Sequence, residues 1–188
     1  MIQQVVHHKG SLHNRITHQL FLKPFTLAET EAMLTANGIR LERHQIIQLY
    51  MVTGGIPHYL ASLQKGGSIA SFINHLCFTN GGVLTDEFEK LFASLYDKPA
   101  HHIAMVRALA AKWKGLTRKE LVISTGMQDG GQVTRILTEL EASDFITITW
   151  PFGKKKKDAL YRLTDPYTLF YLKFMEGRRR KNADNFQS

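Results

Sequence analysis

In the first half of the chain, apolar residues recur at helical spacing and each run stops at glycine. Leu27, Met33 and Leu34 open a stripe that closes at Asn37-Gly38. Thr26 precedes it and Glu29 follows three residues later, the pattern of a capping box. Ile46, Ile47, Leu49 and Tyr50 form the apolar face of a second helix over residues 43–51, ended by Gly54-Gly55. Pro57 sits where a first helical turn tolerates proline, so the next helix runs over residues 58–63. Residues 68–77 and 84–95 give two more helical segments around a Gly81-Gly82 turn, and residues 19–22 read as a short strand.

The pattern changes after Tyr96, where "DKP" interrupts the periodicity. "HHIAMVRALAAKW" places Ile103, Val106, Leu109 and Ala110 on one helical face. Thr117 and Glu120 repeat the capping-box spacing, "GMQDGG" turns, and "QVTRILTELEASD" turns Val133, Ile136, Leu137 and Leu140 inward. "FITITW" then alternates with period two, "PFGKKKKDA" turns, and "LYRLTD" returns as its partner strand. Three helices and a two-stranded hairpin, in that order, predict a winged helix-turn-helix. "DPYTLFYLKFM" follows as an aromatic amphipathic helix, with Tyr167, Phe170, Tyr171 and Phe174 read as an aromatic contact face.

Composition narrows the class. The 188 residues are 44% hydrophobic and 21% charged, as in ordinary globular proteins. No apolar run approaches the roughly 18 residues of a membrane span, and the start lacks a signal-peptide pattern. Cys77 is the single cysteine, which rules out an intrachain disulfide. The expectation is a cytoplasmic protein without membrane partners. The net charge of +8 is unevenly placed: residues 1–98 hold 8 Lys+Arg against 7 Asp+Glu, residues 99–188 hold 16 against 9. That asymmetry points to an acidic partner for the second half, double-stranded DNA first.

The chemistry of the second half agrees with that partner. The predicted third helix offers Gln132, Thr134, Arg135 and Thr138, of which Gln and Arg read adenine and guanine edges. Glu139 and Glu141 lie close by and repel phosphate. Lys154, Lys155, Lys156 and Lys157 crown the hairpin, suited to phosphate contact without sequence readout, and Arg118 and Lys119 add basic groups at the second helix. A lysine-rich hairpin also serves simply to keep a sheet edge soluble. Arg178 to Lys181 form a further basic run, read as a solvated tail. Catalytic patterns are missing: no HExxH, no paired CxxC, no GxSxG elbow and no Walker A GxxxxGK[ST]. The nine histidines include two adjacent pairs whose members point apart, so no metal is expected.

"GSLHNRITHQLFLKPFTLAETEAML", "IIQLYMVTGGIPHYL" and "PFGKKKKDALYRLTDPYTLFYLKF" together resemble the C-terminal half of a prokaryotic family of AAA-type ATPases. That family occurs in archaea and Bacteroides-like bacteria and is related to the STAND NTPases. The resemblance spans about residues 5–176. It implies a mainly α fold with a small β-hairpin: residues 1–14 a remnant of the ATPase core, 15–98 a helical lid-like bundle, 99–165 a winged helix, and 166–188 a C-terminal helix and basic tail. It further implies that Gly54, Gly55 and Pro57 form a lid corner facing the nucleotide, and that Arg15 follows the core where an arginine senses the terminal phosphate. The P-loop, the Walker B acid and the family's trailing nuclease-like domain have no counterpart in this sequence. ATP and Mg²⁺ therefore belong to the complete family, and no cofactor or ATPase activity is expected of this chain. The partners implied are double-stranded DNA or, alternatively, an ATPase core or another protein chain.

Overall fold

The computed structural model describes residues 22–153 and 158–178. Arg15, Lys154 to Lys157, the expected strand apart from Leu22, and the basic run beyond Arg178 lie outside them. The described chain is mainly helical with a small antiparallel sheet. Its first half holds α1 (Leu27–Ala36), α2 (Arg43–Thr53), α3 (Pro57–Ala61), α4 (Ile69–Cys77) and α5 (Glu87–Leu95). The second half runs α6 (Pro99–Ala110), β1 (Leu116–Thr117), α7 (Arg118–Thr125), α8 (Gly131–Ala142), β2 (Ile146–Thr149) and β3 (Leu160–Leu163). α9 (Pro166–Phe170) follows and continues into a π-helical turn, Tyr171–Met175.

The helix starts follow from local chemistry. Thr26 accepts from the Glu29 amide while the Glu29 carboxylate accepts from the Thr26 amide, and Thr117 and Glu120 make the same reciprocal pair. Pro57, Pro99 and Pro166 each occupy a first turn. The α2 helix is longer than its sequence pattern and ends on Gly54 in the left-handed conformation, φ 64°. Ile46, Leu49, Val52 and Thr53 are its buried residues, whereas Ile47, expected on the apolar face, points to solvent.

The sheet differs from the expected hairpin by one strand. β1 pairs with β3 through Leu116↔Tyr161 and Thr117↔Leu160, and β2 pairs with β3 from Ile146↔Leu163 to Thr149↔Leu160, giving the order β1-β3-β2. At two residues, β1 is too short to show a period of two. Its pairing starts α7 beside the end of the sheet from which the hairpin turn projects.

The core is continuous through both halves. Leu49, Leu60, Leu76, Phe88 and Phe92 belong to the same buried cluster as Met105, Leu109, Leu121, Ile136 and Leu140. The last helix returns to the first half to close it. Tyr171 stacks on Phe88 with ring centroids 4.3 Å apart, and the Tyr167 hydroxyl donates to the Leu84 carbonyl at 3.1 Å. This corrects the expected aromatic contact face: Tyr167 and Tyr171 are interior, while Phe174 is exposed and Phe170 half-buried. Tyr167, Tyr171 and Met175 recur every four residues on one stripe, and packing on Phe88 makes that stripe the inward one.

Candidate nucleic-acid interface and glycine corner

The start of α7 and the start of α8 meet around one arginine. Arg118 donates from Nε to Asp129 Oδ1 at 2.7 Å, from Nη1 to Thr134 Oγ1 at 3.0 Å and from Nη2 to the Gly130 carbonyl at 2.9 Å. The sequence pattern puts Arg118 and Thr134 among DNA-contact residues. In the fold the guanidinium fixes the "QDGG" turn against the first turn of α8, and the Thr134 hydroxyl also donates to Gly130 O at 3.3 Å. The pair thus sets the angle at which α8 presents itself. Nothing in the spacing of Arg118 and Asp129 announces this, since the turn between them decides whether they meet.

The outer side of α8 carries Gln132, Arg135 and Thr138, all exposed, and Lys119 is exposed on α7. Val133, Ile136, Leu137 and Leu140 are the buried side, as the periodicity predicts. Arg135 lies 3.5 Å from Glu139 one turn later. Beyond the end of β2, Trp150 and Phe152 project into solvent.

Glu139 has a second, inward partner. His102 is 2% exposed, and its Nε2 lies 2.8 Å from Glu139 Oε2 while its Nδ1 lies 3.4 Å from the Lys98 carbonyl. The imidazole stacks on Tyr96, with centroids 3.8 Å apart and planes 6° from parallel. The Tyr96 hydroxyl reaches the Glu139 carbonyl at 3.5 Å. Burial pushes the Tyr96 hydroxyl up to about 12. These contacts tie the exit of the first half to the middle of α8. They also draw Glu139, a free repulsive charge by its sequence position alone, into pairs with His102 and Arg135.

The glycine corner is enclosed. Gly54 and Gly55 are buried and both have positive φ, 64° and 71°. The Phe25 amide donates to the Gly55 carbonyl at 2.9 Å, and a Cβ on Gly55 would overlap the Phe25 carbonyl oxygen. A Cβ on Gly54 would lie 3.5 Å from Pro166 Cδ and 3.8 Å from Asp165 Oδ1. Asp165 caps α9 by accepting from the Thr168 amide at 2.7 Å, and burial raises its carboxyl above the ordinary aspartate range. Pro57 is half-buried at the start of α3. Within this chain the corner is therefore the seat of α9, which leaves β3 at Asp165.

Among the described residues no group of three or more His, Cys, Asp and Glu is arranged to hold a metal, and no helix is long and apolar enough to cross a membrane. No protein-family model and no curated protein matches this sequence. Among solved structures, the chain is similar to the Walker-type ATPase PABY2304 of Pyrococcus abyssi, with a TM-score of 0.54 and 16% identity. The likeness covers 89% of this chain and 47% of that one, so this chain spans about half its length. At that identity the likeness is one of fold.

Proposed function

We propose that this chain acts as the helical-lid and winged-helix region of an AAA+/STAND-type ATP-binding protein, contacting double-stranded DNA through α8 and the hairpin. The observation that carries the reading is the exposed row Gln132, Arg135 and Thr138 on α8, oriented by Arg118, with Lys119 exposed on α7; the sequence adds Lys154 to Lys157 between β2 and β3. Helix, short strand, two helices and a hairpin is the order of a winged helix, in which the last helix enters the major groove. The fold shared with a Walker-type ATPase supports placing it beside a nucleotide-binding core. There Gly54, Gly55, Pro57 and Arg15 would face that core, and the seating of α9 on Gly54 would pass its state to the winged helix. Without a GxxxxGK[ST] sequence the chain does not turn over ATP by itself.

The test is a duplex titration across ionic strength. Binding is weak and falls steeply with salt, and replacing Lys154 to Lys157 by Ala flattens the slope by up to about 0.9 for each phosphate no longer neutralised. Absence of binding at low salt, or a slope indifferent to those lysines, removes the DNA reading. A second reading, docking on an ATPase core or another chain, is favoured by the ring cluster Phe78, Phe170 and Phe174, with centroid separations of 6.4 and 5.1 Å and two of its rings exposed.

A further inference from the structure

Lysines suffice for phosphate contact and for keeping a sheet edge soluble, yet the hairpin also presents two large aromatic side chains. Trp150 is 55% exposed and Phe152 is fully exposed, immediately beyond β2 and immediately before Lys154 to Lys157. Neither ring belongs to an aromatic pair or sits under a cation among the described residues. Planar apolar faces followed in the sequence by four lysines match the two parts of a nucleotide, a base face and a phosphate. Uninterrupted duplex hides its base faces in the stack, whereas a gap, overhang or fork offers them freely. Protein docking is the less suited occupant, since lysine is depleted at protein-contact cores and four stand here in a row.

We propose that Trp150 and Phe152 form a base-stacking tip, so that the chain selects DNA with unpaired bases over closed duplex. This rests on the DNA reading above and specifies its substrate class. Lys119 is exposed on the helix that begins beside the same end of the sheet and adds a basic group there.

The molecule contains its own control. It has two tryptophans, and Trp113 is 78% exposed. It precedes Gly115, which packs against Tyr161 and Arg162, whereas the tip follows the Thr149↔Leu160 pair. Trp113 therefore lies toward the opposite end of the three-stranded sheet.

The experiment uses the full chain and two competitors: a relaxed, covalently closed duplex circle, and the same circle carrying a short gap of unpaired thymidines. The gapped circle competes better by about tenfold per stacked base. Trp150→Ala and Phe152→Ala each reduce that preference while leaving affinity for the closed circle and the melting temperature unchanged. In a Trp113→Phe background, gapped DNA quenches Trp150 fluorescence and closed DNA does not. Equal competition by the two circles, or a preference untouched by the aromatic substitutions, overturns the proposal and leaves duplex binding intact. That result would assign the pair to a protein contact. Failure of both circles to bind removes the DNA reading and the proposal with it.

Discussion

Two adjacent glycines in the same left-handed conformation have different reasons for being glycine. At Gly54 the added methyl would meet Pro166 and Asp165 at ordinary contact distance, so alanine there bears mainly the backbone strain, roughly 1–2 kcal/mol. At Gly55 the same strain is joined by overlap with the Phe25 carbonyl and by a Tyr50 ring carbon only 2.7 Å away. Gly55→Ala should therefore cost about 3 kcal/mol or more, clearly beyond Gly54→Ala. Denaturant titrations of the two variants check the order, and equal losses would mean that the Phe25 segment yields. The sequence pair "GG" thus merges two roles. One glycine ends a helix and seats α9; the other admits a neighbouring stretch of backbone.

At the scale of elements, the two capping boxes make a prediction in acid. Backbone and hydroxyl hydrogen bonds from Thr26 hold the Glu29 carboxyl below its ordinary value, and those from Thr117, helped by Lys112, do the same for Glu120. A depressed folded-state value means the stabilisation is complete above the unfolded value, about 4.3, and is lost as pH falls through the folded one. Glu120→Ala should lower the melting temperature at neutral pH, and its difference from wild type should close below about pH 4. A difference that persists unchanged through acid would show that packing of the side chain, not its charge, was responsible. These boxes were legible in the sequence because both partners lie within four residues. The inward face of α8 was legible for the same reason, since Val133, Ile136, Leu137 and Leu140 carry their periodicity locally. On α6, Val106 and Leu109 are buried as expected, but His102 and Met105 take the places expected of Ile103 and Ala110. What escaped was non-local. β1 exists through its pairing with β3, His102 and Glu139 are 37 residues apart, and the outward appearance of Tyr167 and Tyr171 depended on not knowing that α5 lay beneath them. The candidate interface divides along the same line. Its exposed α8 row was readable, whereas the use of Arg118 as an internal brace required the fold of the turn.

For the whole molecule, the shared core has a consequence in alkali. Tyr59, Cys77, Tyr96 and Tyr167 are all buried, and they come from α3, α4, the exit of α5 and α9, elements that close the two halves on one another. Burial pushes the Cys77 thiol and the Tyr96 hydroxyl up to about 12, and raises Tyr59 and Tyr167 still further. The Glu87 carboxylate, which accepts from the Tyr59 hydroxyl at 2.9 Å, adds to that rise. For an acid whose folded value lies above its unfolded one, stability is complete below the unfolded value and declines as pH rises past it. The unfolded chain begins to ionise its thiol near pH 8.5 and its phenols near pH 10, while the folded chain keeps all four protonated. Stability should thus hold to about pH 8 and then fall by up to about 1.4 kcal/mol per pH unit for each group ionised only in the unfolded state. Because the groups belong to one core, both halves should unfold together, with near- and far-ultraviolet circular dichroism giving one transition at each pH. Stability that stays flat to pH 11, or two transitions with separate alkaline midpoints, would contradict a core held in common.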